Sequence, residues 1–345
     1  MRILLLSNMY PSKEKPYAGI FVKNQFEEIG NQMRKDEQVD IFYMPRRFTG
    51  KLGTILKYIR AFFLFIPFIF RKYDLIHLHF FYPLIYLVWI YKKIHPNATA
   101  VVTFHGKDIT VAVTEKNKKH LKKLAESVDF AIPVGKTLAS MVQAKLHLET
   151  GMVLPVGVDD RIFRPEENVE KCYDFVWIGS FIHRKGIDLL IQAIRQLDRD
   201  DVTFCFCGSG EYIEELQDLA KSYPISIKQN LTQPEISRLL NQARFFVLMS
   251  RNEGFPTATI EAMYCGIPVL TSDIPQFLEQ VNPGVNGYTT PLGDVAAVAE
   301  KLGALKDLSD SEYSKLSKGA LKSFRELSLQ NVCSQLLNAY RKLAK

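Results

Sequence analysis

Cysteine is scarce in this chain of 345 residues, with Cys172, Cys205, Cys207, Cys265 and Cys333 odd in number and mostly set in apolar runs. That excludes a disulfide framework and suits reduced thiols in a cytosolic compartment. Cys205 and Cys207, one residue apart, lack the spacing of a zinc knuckle. Apolar runs of spanning length are also missing. The ten residues "AFFLFIPFIF" reach about half of what a membrane-crossing helix needs. At the start "MRILLLSN" is too short for a signal-peptide core and reads as a first buried strand. Neither a low-complexity tract nor a short-period repeat occurs, so fibrous and solenoid architectures fall away.

What is present is enough apolar material, 47% of residues, to fill two cores, and 345 residues favour two domains over one. Charge is divided unevenly. Residues 1–170 hold 25 Lys and Arg against 17 Asp and Glu, whereas residues 171–345 hold 19 against 20. The positive excess therefore belongs to the first half. In "KLGTILKYIRAFFLFIPFIFRKY", residues 51–73, Lys51, Lys57, Arg60, Arg71 and Lys72 surround the apolar core, and "FFYPLIYLVWIYKK" repeats the pattern. Basic residues interleaved with aromatic ones favour an anionic membrane surface over nucleic acid as partner. Two readings of each segment stay open, a surface helix that inserts at the interface and a buried helix of a large α/β domain.

Short β-rich runs alternate with stretches of helical period, and the alternation restarts near the middle of the chain. Strands are expected at "RILLLS", "VDIFYM", "LIHLHF", "AVVTFH", "DFAIPV" and "GMVLPV", then at "YDFVWIGS", "VTFCFCGSG", "ISIKQN", "ARFFVLMS" and "PVLTS". This is the pattern of two doubly wound parallel sheets, with "PVGVDDRIFRPEENVEK" as linker. We expect one domain over 1–160, completed by a C-terminal helix at 328–345, and a second over 161–327. Such sheets bind ligands beyond the carboxyl ends of their strands, so facing sheets would hold a substrate in a cleft. Three loops of the second domain, "GSFIHRKG", "CGSGE" and "NEGFPT", leave a strand and open a helix. Together they suit a diphosphate, with Lys185 adding a full positive charge.

In "SRNEGFPTATIEA", residues 250–262, Glu253 follows an apolar strand, Gly254-Phe255-Pro256 turns the chain, and Glu261 comes about one turn into a helix. This spacing, with "EAMYCGIPVLTSD" after it, resembles the signature of the family-4 retaining glycosyltransferases of bacterial surface-polysaccharide type. "NMYPSKEKPYAGIFVKNQ", "DLIHLHF", "TFHGKD", "LPVGVDDRIFRP", "RKGIDLLIQA" and "NGYTTPLGD" extend the likeness along most of the chain. The resemblance implies the GT-B arrangement of two facing Rossmann-like domains and transfer of a sugar from a nucleotide sugar with retention. It places Gly19, Arg184 and Lys185 at the donor. It also implies that Glu261 holds the ribose hydroxyls, which suits a group with only acceptors to offer. Glu253 and the N–H groups of Phe255, Pro256's neighbour Thr257 and the turn at Gly254 would then hold the transferred sugar. His105 corresponds to the family's cleft histidine.

Other groups fit the pattern less well. His77 and His79 share a strand face, but no carboxylate or cysteine completes a metal set, which makes them core or cleft-lining. Asp198-Arg199-Asp200 begins a loop after a helix and reads as a solvated turn. Ser180 stands where many family members have arginine, and Val156 where they have asparagine. The expectation is an enzyme without metal or other cofactor, with His105, Glu253 and Lys185 catalytic. It would use a nucleoside diphosphate sugar, UDP-linked by preference, and a lipid-linked or glycan acceptor on the inner membrane face. A sugar-nucleotide epimerase of the same fold and an inactive membrane-docking partner of another transferase are the alternatives.

Overall fold

Ile3-Leu4-Leu5-Leu6 and Phe245-Phe246-Val247-Leu248 carry apolar side chains at every position rather than every second one, and none is more than 1% exposed. Parallel strands covered by helices on both faces require such runs. The structure, a computed structural model, describes residues 1–12, 18–44 and 50–344, with only the backbone described at 50–55. Residues 13–17 of the first loop and the Lys51 side chain, both singled out above, lie outside the described residues. The chain divides into two units, residues 1–157 with 329–345, and residues 158–328.

The first unit opens with β1 (Arg2–Ser7), α1 (Ile20–Gln32), β2 (Gln38–Tyr43), α2 (Gly50–Ile69), β3 (Leu75–His79) and α3 (Ile85–Ile94). It continues with β4 (Thr99–Phe104), α4 (Lys107–Thr110), α5 (Lys118–Ala125), β5 (Phe130–Pro133) and α6 (Lys136–Leu146). All five strands are parallel, in the order β2-β1-β3-β4-β5. The order reverses at β1, so the loops leaving β1 and β3 part at a switch point, where open sheets bind ligands. The strand expected over "GMVLPV" does not form. Residues 151–156 run irregularly beside β5, with one isolated bridge from Thr150 to Ala131. Pro155 has no N–H to give a ladder, and Gly151 and Gly157 weaken the extended segment between them.

The second unit holds β6 (Tyr173–Ile178), α7 (Ile187–Leu197), β7 (Phe204–Cys207), α8 (Ile213–Leu219), β8 (Ile225–Lys228), α9 (Gln233–Asn241) and β9 (Ala243–Leu248). After these come α10 (Thr257–Tyr264), β10 (Val269–Ser272), α11 (Pro275–Leu278), β11 (Gly287–Thr290), α12 (Val295–Lys306) and α13 (Asp310–Lys322). Its six parallel strands run β11-β10-β9-β6-β7-β8. Here the switch point lies between β6 and β9.

A last helix, α14 (Leu329–Leu343), belongs to the first unit. It buries Val332, Cys333, Leu336, Leu337 and Tyr340, a stripe at helical spacing. Arg341 binds Glu37 through two bonds of 2.8 and 2.7 Å. Those bonds hold the Glu37 carboxyl at about 2, against the opposing effect of burial.

Candidate functional site

At the second unit's switch point the chain leaves β6 and makes a single 3-10 turn, His183–Lys185. Gly186 then opens α7 with φ of 70°. A Cβ on Gly186 would sit 1.8 Å from the Met249 carbonyl oxygen, so only glycine lets this loop lie against the chain leaving β9. The approach brings three expected site residues together. Lys185 Nζ lies 2.6 Å from Oε1 of Glu253, and Arg184 Nη1 lies 3.5 Å from its Oε2. Ser250, missed in the sequence, donates to the same Oε1 at 2.6 Å. Arg251 ties the two loops through Asp188, with two bonds of 2.7 Å, and the His183 carbonyl at 2.6 Å. Burial works to raise the Glu253 pKa, but the Lys185 charge and hydrogen bond, the Ser250 hydroxyl and Arg184 outweigh it and keep the group below the usual carboxylate range. Glu253 is five residues past the end of β9, in the loop rather than at the strand tip.

The following turn positions the second carboxylate. Gly254 is not among the glycines with positive φ, so the turn there does not draw on glycine's left-handed backbone freedom. Phe255 sets its ring edge-on to Phe324, centroids 6.5 Å apart. Pro256 precedes α10, which starts at Thr257 without a side-chain cap, leaving first-turn N–H groups turned toward the loop. Thr259 and Gln280 both bond the Pro256 carbonyl and each other, which fixes the turn. Glu261, one turn into α10, is half-buried. No hydrogen bond or charge offsets its burial, which pushes its pKa up to about 7. One carboxylate is thus saturated with donors while its neighbour has none from the described residues.

The first unit holds His105 and Gly19. Gly19, with φ of 75°, lies where a Cβ would come within 2.7 Å of the Met9 carbonyl, so it closes the loop from β1 onto α1. His105 follows β4, and its backbone N–H reaches the buried Asp108 carboxylate at 3.1 Å. That carboxylate also accepts from Gly106 at 2.9 Å and Phe81 at 3.0 Å, joining the loops after β3 and β4. Burial raises its pKa to about 6 despite these bonds. The half-buried His105 ring packs on Phe80 and Phe21, centroids 4.4 and 5.0 Å away, and its Nε2 lies 3.1 Å from Nδ1 of His79. His77 and His79 are fully buried. His77 bonds Tyr340 through Nδ1 and Thr103 through Nε2 at 2.7 Å, a core arrangement. No metal-binding group of three acidic, cysteine or histidine residues occurs among the described residues. Asp198 and Asp200 are exposed, and Arg199 pairs with Asp201 and Asp307 on the surface.

Two family models match the chain, "Glycosyl transferases group 1" over residues 158–323 and "Glycosyltransferase Family 4" over residues 26–161. The chain is a family-4 glycosyltransferase. Among curated glycosyltransferases it is similar to the putative colanic acid biosynthesis glycosyltransferase WcaL of Escherichia coli. The two are 28% identical over 63% of this chain and 57% of the relative. It is also similar to the GDP-mannose:cellobiosyl-diphosphopolyprenol alpha-mannosyltransferase of Xanthomonas oryzae, 27% identical over 47% of this chain and 44% of the relative. The match spans less than two thirds of either relative's length. Among solved structures, Anabaena HepE in complex with UDP and glucose matches with a TM-score of 0.76 at 18% identity, over 99% of this chain and 100% of HepE. As a family-4 glycosyltransferase the chain carries Ser180 and Lys185 in the loop that leaves β6.

Proposed function

We propose that this glycosyltransferase moves a sugar, with retention, from a nucleoside diphosphate sugar to a lipid-linked acceptor in surface-polysaccharide assembly. The observation that carries the donor half is the contrast at the β6–β9 switch point. Lys185, Arg184 and the uncapped α10 terminus offer positive charge to a diphosphate. Glu261, without a donor among the described residues, offers acceptors to a ribose diol. The phosphate would draw Lys185 away from Glu253 and leave that carboxylate to the transferred sugar. Leaving-group charge is then stabilised by Lys185 and helix N–H groups, and the departing phosphate takes the acceptor's proton on the same face. Because protein groups supply this charge, transfer is expected to persist in EDTA. UDP is the first nucleotide to try, since HepE holds UDP and glucose.

Three features support an acceptor at a membrane. Residues 41–107 contain ten Lys and Arg and a single acid, Asp74. On α2 and the chain after it Ile59, Phe62, Phe63 and Phe70 are 40–81% exposed, and on α3 Trp89 is 39% exposed. Between the two helices lies a groove of about 320 Å³ lined by Tyr58, Ala61, Phe62, Tyr86, Leu87 and Ile90 among others, with no charged residue among the described ones. Such surfaces suit an interfacial helix on anionic lipid, peripheral to the inner membrane face. No helix among the described residues is long and apolar enough to cross a membrane.

A thermal-shift screen of nucleotide sugars tests the donor reading. A true donor at 100 times its dissociation constant stabilises the chain by about 2.7 kcal/mol. Equal melting temperatures with every nucleotide sugar would refute it.

A further inference from the structure

We infer that His79 is a positioning residue, which holds the His105 ring in the tautomer protonated at Nδ1 and so leaves an N–H donor free for a ligand. The inference rests on the reading of His105 as the first unit's ligand-facing group. His79 is fully buried on β3, and its Nδ1 lies 3.1 Å from Nε2 of His105. One proton must lie between those two nitrogens, and the rest of the structure decides whose it is. His77, whose ring centroid is 4.6 Å from that of His79, has both nitrogens occupied by Tyr340 and Thr103 and gives His79 nothing. Burial pushes the His79 pKa down to about 3, so the ring is neutral and carries one proton. Its Nε2 is buried without any partner among the described residues.

Were the His79 proton on Nε2, an N–H group would be buried with no acceptor, an arrangement rarer in folded proteins than a bare acceptor. With the proton on Nδ1, His79 donates to His105 Nε2 and leaves only a lone pair unmatched. His105 must then carry its own proton on Nδ1, which has no partner among the described residues. A ligand hydroxyl or phosphate oxygen would meet a donor there. The stacked rings, 5.4 Å apart and 24° from parallel, fix the direction of that donor. This is how an outer partner sets the tautomer of a working imidazole elsewhere.

The test is nitrogen-15 NMR of histidine-labelled full-length chain, which reads the tautomer of each ring directly. In the wild type His79 and His105 are both expected protonated at Nδ1. His79→Phe keeps a ring but no donor, and His105 is expected to turn over to the Nε2–H form. Turnover of the nucleotide sugar selected by the thermal screen should then fall by about tenfold to a hundredfold. His79→Asn sets an amide nitrogen where Nδ1 stood and is expected to restore both tautomer and turnover, whereas His79→Gln is not. Unchanged His77 signals report that each variant is folded. A wild-type His105 protonated at Nε2, or a His79→Phe variant with tautomer and turnover unaltered, overturns the inference. If the tautomers behave as expected while His105→Ala transfers sugar normally, the hold of His79 on the ring stands and the ligand-facing role of His105 fails.

Discussion

Glu253 and Glu261 are eight residues apart, yet their environments give them opposite acid–base behaviour. Glu261→Ala is expected to weaken binding of free nucleoside diphosphate by about 1.5–3 kcal/mol, the loss of charge-assisted hydrogen bonds. Glu253→Gln, which no longer competes for Lys185, should not weaken that affinity but should lower turnover, as when an interaction strengthens in the transition state. Calorimetric titration separates the two, and equal losses would sink the division of roles. The raised Glu261 pKa adds a second signature. A carboxylate that accepts from a diol must be ionised, so near pH 7, where the group is about half protonated, nucleotide binding should release protons. It should also tighten as pH rises through 7. Titration in buffers of differing ionisation enthalpy measures the release, and Glu261→Gln should abolish it. The pair's spacing was legible in the sequence. Its electrostatics were not, because Ser250, Arg251 and the Lys185 contact come together only once β6 and β9 are neighbours in the sheet.

Helix α2 divides the apolar run 61–70 between two surroundings. Ala61 and Phe65 are buried, with Phe65 against Phe42, while Phe62 and Phe63 on the same turn are 40% and 62% exposed. The buried-helix reading holds for one face of this run, and the other face is exposed. Phe62→Ser with Phe63→Ser is therefore expected to leave the melting temperature unchanged within a degree or two while weakening vesicle binding. Each apolar side chain loses roughly 1.5–3 kcal/mol of burial. Phe65→Ser should destabilise the fold instead, by about 3–5 kcal/mol or more. Unaltered vesicle flotation for the double variant would remove the membrane reading. Period alone predicted the helix, since 3.6-residue spacing is a local property. Which side meets the core depends on β2 and could not be read from the run itself. The same limit explains the missing strand at "GMVLPV", where apolar residues had sheet propensity but Pro155 and two glycines denied them a ladder. It also explains β11, whose "GYTT" is too polar to announce a strand and gains its place only by pairing with β10.

Across the molecule the Glu37–Arg341 pair joins the turn before β2 to the last helix. A carboxyl depressed to about 2 in the folded chain from an ordinary 4.5 binds fewer protons folded than unfolded between those values. Its stabilisation is complete above pH 4.5 and lost as pH falls toward 2, on the order of 2–3 kcal/mol. Arg341→Met should cost about that much at pH 7 and little at pH 2.5, read by urea denaturation at both. An equal cost at the two values would show that packing of the side chain, rather than its charge, holds α14 in place. The alternation of strands and helices made both sheets readable at this scale, because continuous apolar runs identify buried parallel strands wherever they occur.

That α14 completes a unit interrupted by the 171 residues 158–328 has a consequence for synthesis on the ribosome. At roughly 5–20 residues per second, translation of residues 158–328 takes about ten to thirty seconds. Throughout that interval the nascent first sheet, with His77 facing an absent Tyr340 and an open apolar flank along α1, has emerged but cannot close. The second unit, contiguous in sequence, is free to finish first. The order of maturation therefore runs against the order of translation, and a chaperone that shields apolar surface has its longest opportunity at the face α14 will cover.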